Sequence, residues 1–186
     1  MTLVFRRVVG KVNTRLNAVV ILCLDAINWG GTCIRTIRQY VGGNPILLAV
    51  TRCDLLPIQA EHEKEQLESF YRKVAAELSP AAIYLCSTEQ GEAQQRYDGT
   101  QQLAKDLWEY RNDRDVYVVG AANIGKSTLT DSLIAKLIKA GEMNGHFDSA
   151  MDERRVEALR SSRVTKSALP GTTLQNIRVP CFPNHE

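Results

Sequence analysis

The sequence predicts an α/β fold: a parallel β-sheet covered by helices on both faces. Three observations point there. Short apolar runs and amphipathic segments alternate four times along the 186 residues, the rhythm of strand-helix-strand units. The runs at 17–24, after its leading Asn17, and at 46–50 are continuously apolar, as strands buried on both faces must be. Finally, Gly120-Ala121-Ala122-Asn123-Ile124-Gly125-Lys126-Ser127 satisfies every fixed position of the G-x-x-x-x-G-K-[ST] phosphate-binding loop, which joins a strand to a helix.

The run 17–24 ends at Asp25 and opens the sheet. Asn28-Trp29-Gly30-Gly31-Thr32 reads as a turn, and 33–41 as a short helix with Ile34, Ile37 and Val41 on one face. Gly42, Gly43, Asn44 and Pro45 stop it,. The second strand, 46–50, delivers Thr51-Arg52-Cys53-Asp54 to its carboxyl end. A long helix from about Gln59 carries Leu67, Phe70, Tyr71, Val74, Ala75 and Leu78 at helical spacing, and Pro80 ends it,. The third strand, 82–85, exits into Cys86-Ser87-Thr88, and a helix over 99–111 leads to the fourth strand at 115–119. Beyond the loop, Leu129, Leu133, Ile134, Leu137 and Ile138 recur as on a helix,. Ligands of such sheets bind beyond the carboxyl ends of the strands. Residues 51–54, 87–88 and 120–127 should therefore converge on one crevice.

Each residue type in the loop has a task. Gly120 and Gly125 let the backbone turn tightly and bring its N–H groups against phosphate oxygens,. Lys126 supplies positive charge to β- and γ-phosphates, and the Ser127 hydroxyl suits a Mg²⁺ ion,. Gly120, Asn123, Ile124, Gly125, Lys126, Ser127 and Thr128 are thus candidate nucleotide contacts. A Gly-rich turn with a surface lysine is the plain alternative, and the flanking strand and helix argue against it.

Composition bounds the rest. The length suits a single domain over 1–186, and 44% hydrophobic with 24% charged residues is ordinary for a globular protein,. No apolar run approaches a membrane span,. A net charge of +2 permits an RNA partner without arguing for one, and no DNA partner is expected,. Five scattered cysteines with no C-x-x-C pair suggest reduced, mostly buried thiols,. His62, His146 and His185 are isolated and read as surface residues. The stretch 140–167 mixes basic and acidic residues without an apolar period and reads as a mobile loop rather than an RNA patch,.

A bare phosphate loop does not choose a base, but Asp54 can. One carboxylate accepts both N1–H and the 2-amino group of guanine, and adenine offers no such pair of donors at that edge. Thr51-Arg52-Cys53-Asp54 is then a degenerate guanine box of the N-K-x-D kind, with Ser87-Thr88 as its weaker companion. A strand-end turn is the alternative for each alone. The box precedes the loop here, whereas small GTPases have the reverse order.

That inversion, with Pro170-Gly171-Thr172-Thr173-Leu174 downstream, resembles the circularly permuted GTPases. Within them the sequence is most similar to the YqeH-like branch, which includes plant and mitochondrial proteins once called nitric oxide associated. The resemblance covers roughly residues 17–182 and rests on Thr51 to Pro57, Asp115 to Ser127 and Pro170 to Leu174. It implies a P-loop NTPase with a Ras-like sheet in permuted order, and GTP and GDP as ligands. It also implies Thr173 as a second residue reaching Mg²⁺ and the γ-phosphate, and Asn123 as a residue that helps hold K⁺. The implied task is assembly of the small ribosomal subunit, with pre-ribosomal RNA or the subunit as partner. The implied compartment is a plastid or mitochondrion, or a bacterial-type cytoplasm.

The sequence departs from the family in places. Thr51 and Arg52 replace the usual Asn and Lys, and no D-x-x-G occurs. A G domain incomplete at its C-terminus is therefore expected, with 141–169 a mobile switch or insert and the alternating segment 176–182 an edge strand lacking its neighbour. Catalysis would rest on Lys126 and Thr173, and whether these 186 residues hydrolyse GTP stays open. A non-hydrolysing guanine-nucleotide scaffold and an ATP-using P-loop protein are the alternatives.

Overall fold

A computed structural model describes residues 18–57, 61–87, 96–111 and 114–143. Four strands form one parallel sheet: β1 (Ala18–Asp25), β2 (Ile46–Thr51), β3 (Ala82–Leu85) and β4 (Asp115–Val119), in the spatial order β3-β2-β1-β4. All four strands lie where the sequence puts them. β1 and β2 are the inner strands, and every residue of both is buried. Their unbroken apolar composition follows from that position, since each fully buried Leu, Ile or Val contributes about 1.5–3 kcal/mol.

Successive strand residues feed two cores. Val20, Leu22, Leu24, Leu48, Val50 and Leu85 meet α2 (Ile37–Val41) and Tyr71 and Ala75 on one face. Val19, Ile21, Cys23, Leu47, Ala49 and Tyr84 meet the other face's helices, α4 (Gly99–Arg111) and α5 (Lys126–Met143), through Leu103, Leu107, Leu129 and Leu133. Helices on both faces of a parallel sheet are therefore observed.

Two local expectations are corrected. The stretch 28–32 is not a plain turn. Asn28 caps a single helical turn, α1 (Trp29–Thr32), by accepting from the Gly31 N–H at 3.2 Å. The Thr32 hydroxyl then donates to the Asn28 carbonyl at 2.8 Å, so Cys33 and Ile34 lie between α1 and α2 rather than in a helix. The long helix, α3 (Glu61–Val74), stops short of Leu78, because the backbone tightens into a 3-10 turn at Ala76–Leu78. Arg38 fixes that turn by donating to the carbonyls of Leu78 at 2.9 Å and Ser79 at 3.0 Å.

Three of the four cysteines among the described residues are buried, and all four are free thiols. Cys181, His146, His185 and the whole of 144–186 lie outside the described residues, as does the expected edge strand; the expected mobile insert, 141–169, starts too early, since α5 continues through Met143, and its remainder lies outside the described residues. His62 is exposed. Among the described residues no helix is long and apolar enough to cross a membrane.

Two measurements follow from the packing. Gly99 starts α4 directly against β3, and a Cβ there would stand 2.7 Å from both the carbonyl carbon and the amide nitrogen of Leu85. Gly99→Ala should cost roughly 1–3 kcal/mol in urea unfolding, whereas Gly30→Ala, with open space around it, should stay close to wild type. Burial pushes the Cys23 and Cys86 thiols up from an ordinary 9.0 to about 12. The folded values exceed the unfolded ones, so this contribution to stability is complete below pH 9 and is lost as pH climbs toward 12,. Native protein at pH 8 should label at Cys33 before Cys23 or Cys86; equal labelling of all three would contradict the packing.

Candidate functional site

Parallel strands end at one edge of the sheet, and there the structure gathers the sequence motifs. β1 ends at Asp25, which is in register with Thr51 at the end of β2. β3 leads to Cys86 and Ser87, and β4 leads to Gly120. Three hydrogen bonds join these loops. The Cys86 N–H donates to the Val50 carbonyl at 2.8 Å, and the Cys53 N–H donates to the Cys86 carbonyl at 3.2 Å. The Thr51 hydroxyl donates to the Ile124 carbonyl inside the loop 120–127 at 2.5 Å.

The candidate phosphate loop, 120–127, has the backbone its glycines permit. Gly125 sits at φ 83° and Asn123 at φ 61°, both in the left-handed region, where asparagine is among the few tolerated residues with a side chain. Gly120 packs against β1, where a Cβ would stand 2.8 Å from the Cys23 carbonyl oxygen. Ile124 turns inward and is buried, whereas Ala122 and Asn123 are exposed. α5 begins at Lys126, so Lys126, Ser127 and Thr128 form its first turn, where N–H groups lack helical acceptors,. Such a loop running into a helix N-terminus suits an anion. The Lys126 ammonium donates to the Ala121 carbonyl, so its charge lies over the loop. Burial lowers its pKa, which a bound anion would counter,.

The base-reading candidates lie on the neighbouring loop. Arg52 takes a left-handed conformation, φ 64°, and starts a 3-10 turn over Cys53–Leu55 that carries Asp54. Asp54 and Ser87 are half-buried. Thr51 differs: it is wholly buried, and its hydroxyl also lies 3.2 Å from the Leu24 carbonyl. It supports the loop from beneath. Thr88 and Thr173 lie outside the described residues, so the structure brings together Thr51, Arg52, Asp54, Ser87 and Gly120 to Thr128 from the expected set. Among the described residues no cluster of three metal-ligating residues occurs.

Asp25 was not among the expected site residues. Its side chain is 5% exposed, and its carboxylate meets the Arg52 guanidinium at 2.6 Å. An acidic residue at the carboxyl end of a buried strand, on the rim that carries the other motifs, was the signal that could have marked it.

No family model matches this sequence. Curated relatives do. YqeH of Bacillus subtilis is 32% identical over 166 residues, which is 88% of this chain and 38% of that protein. The Arabidopsis thaliana protein named "NO-associated protein 1, chloroplastic/mitochondrial" is 27% identical over 172 residues, 91% of this chain and 27% of the relative. The chain therefore spans between about a quarter and two-fifths of the length of these relatives.

The tie from Thr51 to the loop is testable. Thr51→Val keeps the shape but leaves the Ile124 carbonyl without this donor, and should cost about 1–3 kcal/mol in urea unfolding. A variant as stable as wild type would remove the tie from the account.

Proposed function

We propose that this protein, a homologue of the YqeH-like proteins along about nine-tenths of its length, is the nucleotide-recognising part of a circularly permuted, Ras-like G domain. What supports this most is the hydrogen-bonded junction of 51–54 with the phosphate loop through Thr51 and Ile124. It sets a half-buried carboxylate, Asp54, on the same sheet edge as a phosphate-binding turn.

In this reading the loop amides and Lys126 hold the phosphates, and Asp54 accepts the two donors of guanine. Arg52 offers a planar cation to the base, and Ser87-Thr88 would be the companion whose backbone N–H meets the guanine carbonyl oxygen. The Ser127 hydroxyl and Thr173 would hold Mg²⁺, which neutralises charge developing on the phosphates when bound, and Asn123 would help hold K⁺. The half-buried position of Lys126, with pKa lowered by desolvation, fits such a role: a cation already stripped of much of its water interacts more strongly with an anion.

The whole protein would bind GTP and GDP and couple GTP hydrolysis to assembly of the small ribosomal subunit, contacting pre-ribosomal RNA or the subunit itself. This part of the proposal rests on likeness to the YqeH-like proteins. A plastid or mitochondrial location accords with the name of the Arabidopsis relative, and a bacterial-type cytoplasm with the Bacillus one.

Titration with fluorescent GDP and ADP tests the reading. The protein should prefer GDP, and Lys126→Ala should weaken both ligands. Asp54→Asn should lower the GDP preference by roughly 10- to 100-fold, the loss of one charge-assisted paired contact. Equal affinities, unchanged by Asp54→Asn, would refute guanine recognition.

A further inference from the structure

We propose that Asp25 is a positioning residue for base recognition: through its contact with Arg52 it holds loop 51–54 in the shape that reads the nucleotide. The proposal rests on the guanine-nucleotide reading above.

Asp25 is nearly inaccessible, 4% exposed. A carboxylate taken that far from water must be compensated by donors or by a cation. Both of its oxygens are engaged. Oδ2 receives the Arg52 guanidinium at 2.6 Å, and Oδ1 accepts from the N–H groups of Ile27 at 2.9 Å and Asn28 at 3.4 Å.

The residues around the carboxylate are themselves held. The Asp25 N–H donates to the Thr32 hydroxyl at 3.1 Å, and the Ala26 N–H donates to the Thr51 carbonyl at 3.0 Å. The buried Tyr71 hydroxyl donates to the Ala26 carbonyl at 2.8 Å. Asp25 is thus a fixed anchor built from β1, α1 and α3, and Arg52 is the part that it constrains.

Arg52 needs the constraint. Its φ of 64° places a long residue in the left-handed region, which is strained and persists only where the surroundings enforce it. One end of its guanidinium is pinned by Asp25. The side chain remains 35% exposed, which leaves the planar group able to meet a base by stacking. Asp54 lies two residues on, in the 3-10 turn closed by the Leu55 N–H donating to the Arg52 carbonyl at 3.1 Å. Releasing Arg52 therefore releases the turn that aims Asp54. An ion pair of purely structural value would stabilise the fold without altering base preference.

A double-mutant cycle on GDP and ADP affinity separates these outcomes. It uses Asp25→Asn, Arg52→Ala and the two combined. Asn keeps an oxygen for the Ile27 and Asn28 amides and loses the charge. Asp25→Asn should weaken GDP about 5- to 10-fold and should weaken it no further when Arg52 is already Ala. Equal weakening in both backgrounds, or none in either, would overturn the positioning role. Arg52 is partly exposed, so Arg52→Ala is expected to fold and gives an independent reading. Undiminished GDP affinity in that variant would also overturn the proposal. A wild-type protein with no preference for GDP over ADP would overturn the guanine reading, and this inference with it. Clear wild-type preference with an additive cycle would overturn only the role of Asp25.

Discussion

The parallel pairing of β1 with β2 on one side and β4 on the other is the constraint on which the site depends. Parallel strands put all their carboxyl ends at one edge. Loops separated by more than sixty residues in sequence thereby become neighbours without any long-range element built to join them. The sheet can do this only if its central strands are buried on both faces, which is why 18–24 and 46–50 are apolar without interruption. Packing and site placement are one requirement here, and the same residues meet both.

At that edge, hydrogen bonds convert proximity into a defined shape. Thr51 gives up access to solvent and joins β2 to the loop 120–127. Gly120 lets the loop leave β4 against the backbone of Cys23, and Asp25 draws Arg52 back toward β1. These contacts come from the ends of three different strands and meet at one rim. The strand ends are therefore rigid from below and polar above, as a binding edge on an α/β sheet should be.

Much of this is legible in the sequence, for physical reasons. β2 and α4 are bounded by Gly, Pro or charged residues that stop them locally, and the turn 120–125 declares itself through glycines at positions that its backbone requires. Other features depend on tertiary contacts and leave weaker local marks. The break between α1 and α2 arises from Asn28 and Thr32 capping each other's turn, which an apolar period does not register. Thr51 could have lined the crevice or supported it, and only the position of Ile124 decides. Asp25 becomes informative once β1 and β2 are in register, because its partner is 27 residues away.

Two distant segments, 51–55 and 120–128, are expected to act as one binding unit. Hydrogen exchange of the native protein with and without GDP tests it most directly. Binding should slow exchange in both segments together, in the same range of GDP concentration. Protection confined to 120–128, with 51–55 unchanged at saturation, would mean that the phosphate loop works alone and would contradict the account.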